Sequence, residues 1–125
     1  MKKKSEKTKY KILFTITGDE NNHISELYSE VKREKLPIEF IGSLSREQVF
    51  DYYTKSVLLF PSYIETFGLP MLEAKLHKGV ILASNCAFSK EILEGYENAW
   101  FFDPFDAKEL ANLIEGIEYF LPENY

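Results

Sequence analysis

Cysteine is almost absent from this chain: Cys86 is the only one in 125 residues. No internal disulfide can form, and the composition fits a reducing cytoplasm. Cys86 has no histidine near it in the sequence, so we read it as an ordinary small residue. Histidine is nearly as scarce. His23 and His77 are scattered, and with one cysteine they give no ligand set for zinc. Long apolar runs are missing too. A membrane span needs roughly 18 residues, whereas the longest runs here, VLLF at 57–60 and VILA at 80–83, have the length of buried strands. No such run follows the amino-terminal lysines, so they do not form a signal peptide. Positive charge is sparse beyond that cluster. Lys2, Lys3, Lys4, Lys7, Lys9 and Lys11 fall in the first eleven residues beside one acid, Glu6; the other 114 residues hold nine basic and nineteen acidic groups, net −10. A body this acidic repels phosphate backbones, which argues against nucleic acid as a partner. We read residues 1–10 as a solvated, partly disordered lead-in, with membrane contact at most peripheral.

What is present is an alternation of short apolar runs and amphipathic stretches. Residues 11–17 (KILFTIT) read as a strand ending at Gly18-Asp19. Residues 22–35 follow with Ile24, Leu27, Tyr28 and Val31 at helical spacing. Residues 37–41 (PIEFI) form a second strand closed by Gly42. Ser45 and Gln48 fit a capping box, opening a helix to about residue 55 that buries Val49, Phe50 and Tyr53. Residues 56–61 (SVLLFP) are a third strand, apolar on both faces as a covered parallel strand should be. A loop at 62–67 leads to a helix at 68–78, with Pro70 in its first turn and Gly79 at its end. Strands at 80–83 and 99–102 flank a short helix at 89–96, and Trp100 falls in the latter strand. Asp106 with Glu109 opens a last helix whose Leu110, Leu113, Ile114 and Ile117 make an inner stripe. Five βα units with short connections predict an α/β fold: a Rossmann-like parallel sheet with helices on both faces, in one domain over 11–121. Ligands in such sheets bind beyond the carboxyl ends of the strands. Those ends are Gly18-Asp19, Gly42-Ser43, residues 62–68, Ser84-Asn85 and Asp103.

One of these segments carries a chemical logic of its own: FPSYIETFGLPMLEA at residues 60–74. A buried strand ends at Pro61, and the loop beyond it brings a carboxylate, Glu65. Gly68 lets backbone approach a ligand closely. The following helix start, with its N–H groups and dipole, attracts phosphate. Glu73 lies about one turn into that helix, and a carboxylate there can accept hydrogen bonds from two vicinal hydroxyls, as on a ribose. Two carboxylates and a phosphate-binding helix start suit a sugar nucleotide. The spacing is equally compatible with Glu65 and Glu73 as surface acids and Phe67, Leu69 and Leu72 as core.

This segment resembles the mark of the retaining GT-B glycosyltransferases of group 1, family 4. Their two glutamates are separated by seven residues within P-S-x-x-E-x-F-G-L-P-x-x-E-A, and residues 61–74 match that setting position by position. Three flanking segments are similar as well: Ile16-Thr17-Gly18-Asp19; residues 40–45, as F-x-G-x-x-S; and the late strand with Asp103-Pro104. The resemblance covers roughly residues 10 to 118. It implies the carboxy-terminal, donor-binding half of a two-domain enzyme that binds a nucleotide-diphosphate sugar. Glu73 would hold the ribose hydroxyls. Glu65, the catalytic candidate, would contact the transferred sugar near the reacting centre. The backbone from Thr66 and Phe67 through Gly68 and Leu69 would bind diphosphate and sugar. Gly18 would pass close to the donor, and Ile41, Gly42 and Ser43 would flank the base. Transfer would retain anomeric configuration and need no metal or other cofactor, in polysaccharide or lipopolysaccharide assembly.

The departures from the family pattern set further expectations. The family's first strand of this domain, with the arginine and lysine that grip the donor phosphates, is not in the chain, nor is the acceptor domain. In the usual order 3-2-1-4-5-6 the missing strand is the central one. An open edge would then favour self-association, and another chain would supply the acceptor half. Two other readings stay open: a non-catalytic nucleotide-sugar-binding module, and a truncated inactive fragment. His77 lies four residues after Glu73, and we read it as complementing the helix C-terminus rather than pairing with that carboxylate. His23 is read as exposed. Ser62 is not in a nucleophile-elbow pattern.

Overall fold

The computed structural model describes residues 11–15, 17–63 and 68–117. Ten elements alternate there: β1 (Ile12–Phe14), α1 (Asn22–Glu34), β2 (Ile38–Phe40), α2 (Arg46–Lys55), β3 (Val57–Phe60), α3 (Leu69–Leu76), β4 (Val80–Ser84), α4 (Ala87–Ile92), β5 (Ala99–Phe102) and α5 (Ala107–Gly116). The five strands predicted from the apolar runs are all present, and every described ladder is parallel. The α/β reading holds. The strands form two sheets among the described residues, ordered β1-β2 and β3-β4-β5. The chain divides into two compact units between Ser45 and Arg46.

In the first unit, β1 pairs with β2 from Ile12↔Ile38 to Phe14↔Phe40. Phe40 meets the Phe14 ring edge-on at 5.4 Å and the Tyr28 ring at 5.1 Å. That contact seats α1 through the stripe read from its helical spacing, of which Val31 is buried. Asn21 caps α1 by accepting from the Ile24 N–H at 2.9 Å.

The second unit holds the larger core. Register places Leu58, Ile81 and Ala99 in one row and Phe60, Ala83 and Phe101 in the next. Strand alternation puts both rows on one face, where they pack with Tyr53 of α2, Met71 and Ala74 of α3, and Leu93. Val80 and Leu82 point to the opposite face and are buried as well, so β4 is covered on both sides. β3 is only half-buried along its length. This corrects the expectation of a fully covered third strand, because among the described residues β3 borders one neighbour in its sheet and β4 borders two.

Two helix ends also differ from expectation. α4 begins at Ala87, two residues early, with extended Cys86 before it, and ends at Ile92 rather than 96. The Cys86 thiol sits between the Ser84 and Ser89 hydroxyls, at 3.5 and 3.3 Å. Burial pushes this thiol up, but the hydrogen bonds to Ser89 and Ser84 outweigh it and hold it below its usual range. At the end of α3, the left-handed residue is Lys78, with φ 59°, and not Gly79. The Lys78 N–H donates to Lys75 O at 3.1 Å and the Gly79 N–H to Ala74 O at 2.8 Å, a Schellman ending. Gly79 is needed for space instead: a Cβ there would lie 2.5 Å from the Tyr53 carbonyl oxygen. Asp106 opens α5 as the sequence predicts, accepting from the Glu109 N–H at 3.0 Å.

Candidate functional site

Parallel strands bring their carboxyl ends to one edge of each sheet, and the candidate residues follow that rule within each unit. In the first unit, the Ile41 N–H donates to Phe14 O at 2.9 Å and extends the β1-β2 ladder to the turns. Gly18 and the stretch from Ile41 through Gly42 to Ser43 therefore share one end of this sheet. Gly18 has φ 103° and is buried, and a Cβ there would strike the Tyr28 ring. Any other residue at that turn would be strained and would have to displace the Tyr28 ring. The N–H groups of Gly18 and Asp19 donate to Glu20 Oε1 at 2.9 and 3.1 Å, and that of Thr17 to Glu20 Oε2 at 2.6 Å. The Thr17 N–H foremost, with that of Gly18, holds the Glu20 carboxyl below the usual carboxylate range. Gly42 has φ 74° and Ser43 is exposed.

In the second unit, the end of β3 is tied to the end of β4, where the Ser84 hydroxyl donates to Ser62 O. Beyond β5, the Phe105 ring, 75% exposed, leans on the Tyr63 ring at 4.7 Å. Gly68 precedes α3 with φ 61° and is buried; a Cβ there would collide with Ile92. It offers the helix start no side-chain cap, and Pro70 in the first turn lacks an N–H. Leu69 is exposed. Ile64, Glu65, Thr66 and Phe67 lie outside the described residues, as do Ile16 and the lysine-rich 1–10.

Glu73 projects from α3 into a small polar cluster that the sequence reading did not assemble. Arg46 Nη2 donates to Glu73 Oε2 at 3.3 Å, and the Tyr53 hydroxyl donates to Glu73 Oε1 at 3.3 Å. The Glu73 side chain is 18% exposed, so it is mostly buried yet still reachable. Burial first, then the Glu73 carboxylate, pushes the Tyr53 phenol up to about 12. The Arg46 guanidinium lies 5.1 Å from the Phe50 ring centroid, and Phe50 stacks on His77 at 4.5 Å. His77 Nδ1 lies 2.9 Å from the Glu73 carbonyl oxygen at the end of α3. His77 thus contacts the backbone of Glu73, in keeping with the C-terminal role read for it, and His23 is exposed as expected.

The predicted donor-binding residues therefore fall into two groups: Gly18, Ile41, Gly42 and Ser43 in the first unit, and Gly68, Leu69 and Glu73 in the second. Arg46 and Tyr53 are the residues that sequence reasoning missed. They lie 27 and 20 residues before Glu73. Arg46, Phe50 and Tyr53 do share one face of α2, at i, i+4 and i+7, but that pattern also describes ordinary core. Among the described residues, no group of three or more His, Cys, Asp or Glu side chains could hold a metal ion. No described helix is long and apolar enough to cross a membrane.

Comparison with known proteins adds three findings. The family model described as glycosyl transferases group 1 matches residues 1–119. An uncharacterized 41.2 kDa protein in the cps region of Klebsiella pneumoniae is 27% identical over 107 residues, 85% of this chain and 28% of that protein. The structure of sucrose-phosphate synthase from Thermosynechococcus elongatus superposes with a TM-score of 0.66 at 28% identity, covering 78% of this chain and 25% of the synthase. The chain thus spans about a quarter of the length of both relatives.

Proposed function

Because this chain belongs to the group 1 glycosyl transferases, we propose that it is the donor-binding half of such an enzyme, holding a nucleotide-diphosphate sugar for transfer to an acceptor. Glu73 accepts the ribose hydroxyls. The backbone of Thr66, Phe67, Gly68 and Leu69 holds diphosphate and sugar at the start of α3, where aligned peptide dipoles favour an anion. Glu65 contacts the transferred sugar at the reacting centre. Gly18 passes beside the donor, and Ile41, Gly42 and Ser43 flank the base. The sugar is transferred with retention and without a metal, the dipole at the start of α3 offsetting charge on the leaving diphosphate. The acceptor site belongs to a separate domain. Polysaccharide or lipopolysaccharide assembly is the proposed pathway, and a relative in a cps region fits it.

One observation supports this reading most: Glu73 presents a fixed carboxylate, 18% exposed, on the helix that Gly68 opens. Calorimetric titration of UDP, GDP, ADP and their sugar conjugates into the chain tests it. One nucleotide should bind, and Glu73→Ala should weaken it about tenfold or more, as expected for loss of hydrogen bonds to a charged group. A folded chain that binds none of them would sink the donor reading.

A further inference from the structure

The two donors on Glu73 divide its carboxylate evenly. An ionised carboxylate has about four acceptor positions, two on each oxygen. Arg46 takes one on Oε2 and Tyr53 takes one on Oε1, both at 3.3 Å. Neither oxygen is saturated by these two bonds, and the carboxylate plane is pinned at both ends. A side chain held by one donor could rotate about its terminal bond, a broad and soft torsion; a second donor on the other oxygen restricts that rotation. The donors are themselves braced. Tyr53 is 7% exposed and belongs to the core cluster with Met71 and Ala74. The Arg46 guanidinium lies over the Phe50 ring at 5.1 Å, Phe50 stacks on His77, and His77 Nδ1 contacts the Glu73 carbonyl. The contacts close a ring that begins and ends on Glu73.

A vicinal diol needs this arrangement: two acceptor oxygens, each with a position to spare, in a plane set before the ligand arrives. We propose that Arg46 and Tyr53 are positioning residues that hold Glu73 for a ribose cis-diol, and so set the preference of the site for ribonucleotides over deoxyribonucleotides. This rests on the reading of Glu73 as the ribose ligand. Arg46 and Tyr53 act through the carboxylate and need not touch the nucleotide. Removing either leaves Glu73 able to accept a hydrogen bond, but in an orientation averaged over its rotation.

The test compares ribonucleotide with deoxyribonucleotide binding in the same chain. UDP, GDP and ADP are titrated first, and the one that binds is then compared with its 2′-deoxy and 3′-deoxy forms. The wild type should favour the ribonucleotide about tenfold or more, as for a hydrogen bond to a charged acceptor. Tyr53→Phe and Arg46→Gln should each weaken the ribonucleotide severalfold and leave the deoxy forms nearly unchanged, so the ratio shrinks toward one. Arg46→Lys, which keeps the charge, should restore part of it. Tyr53→Phe deletes one hydroxyl, and the ratio is its own control for partial unfolding, because loss of active protein weakens every ligand alike. A ratio unchanged in both variants, with only the melting temperature lowered, would overturn the positioning role and leave the ribose reading intact. A wild type indifferent to the 2′ and 3′ hydroxyls, or binding no nucleotide, would overturn the ribose reading and this inference with it.

Discussion

At the residue scale, the informative feature is how far tertiary neighbours alter single side chains. Tyr53 belongs to the core, as its helical spacing predicts, and its hydroxyl also donates to the partly exposed Glu73 carboxylate at the edge of that core. The consequence is a pH dependence with a definite sign. The phenol titrates near 10 in the unfolded chain and is pushed up to about 12 in the fold. The folded state therefore binds this proton more tightly. Its contribution to stability is complete below pH 10 and is lost as pH rises from about 10 to 12. Glu73 and Arg46 are the charged groups acting on the hydroxyl, the His77 ring lies 5.9 Å from the Tyr53 ring, and replacing Tyr53 by Phe leaves all three in place. Denaturant melts at pH 9 and pH 11.5 should show a smaller loss for Tyr53→Phe than for the wild type. An equal loss in both proteins would mean that other groups carry the alkaline transition.

At the element scale, helix α3 is bounded by two different uses of backbone. Gly68 needs both its left-handed conformation and its missing Cβ. At the far end these two requirements separate. Lys78 adopts φ 59° although it carries a side chain, and Gly79 supplies room against the Tyr53 carbonyl. A non-glycine residue in that conformation costs about 1–2 kcal/mol, so Lys78→Gly should raise stability by roughly 1 kcal/mol. Gly79→Ala should lower it by about 1–3 kcal/mol, because the new methyl group meets rigid backbone. Urea midpoints of the two variants check the pair. A stabilising Gly79→Ala would show that α2 yields easily at Tyr53. The swap of roles between positions 78 and 79 could not be read from the chain, since a glycine at a helix end is the ordinary signature of the left-handed residue.

At the scale of the molecule, burial is uneven. Among the described residues, the first unit has three-residue strands that pair with each other, and Val31 is the hydrophobic side chain buried there. The second has a strand buried at every position and a core drawn from three helices. A pair of strands alone is marginally stable in water, and local opening follows buried contact. Hydrogen exchange measured by mass spectrometry should therefore find weaker protection across residues 11–45 than across β3, β4 and β5. Equal protection would show that the two units open together.

The sequence by itself determined the element order, the parallel α/β class and the family. Those properties depend on local pattern: apolar runs of strand length, helical spacing, turn glycines and the motif at residues 61–74. It also determined which turns share the carboxyl ends of the strands, because parallel strands leave no choice of end. What only the tertiary structure decided is the company that Glu73 keeps. Arg46 and Tyr53 reach it from another helix across 27 and 20 residues, and no periodicity within either helix encodes that meeting. The division into two sheets, the half-exposure of β3 and the exchange of roles between Lys78 and Gly79 have the same origin. Each depends on which atoms lie beside a residue in space, and packing alone sets that.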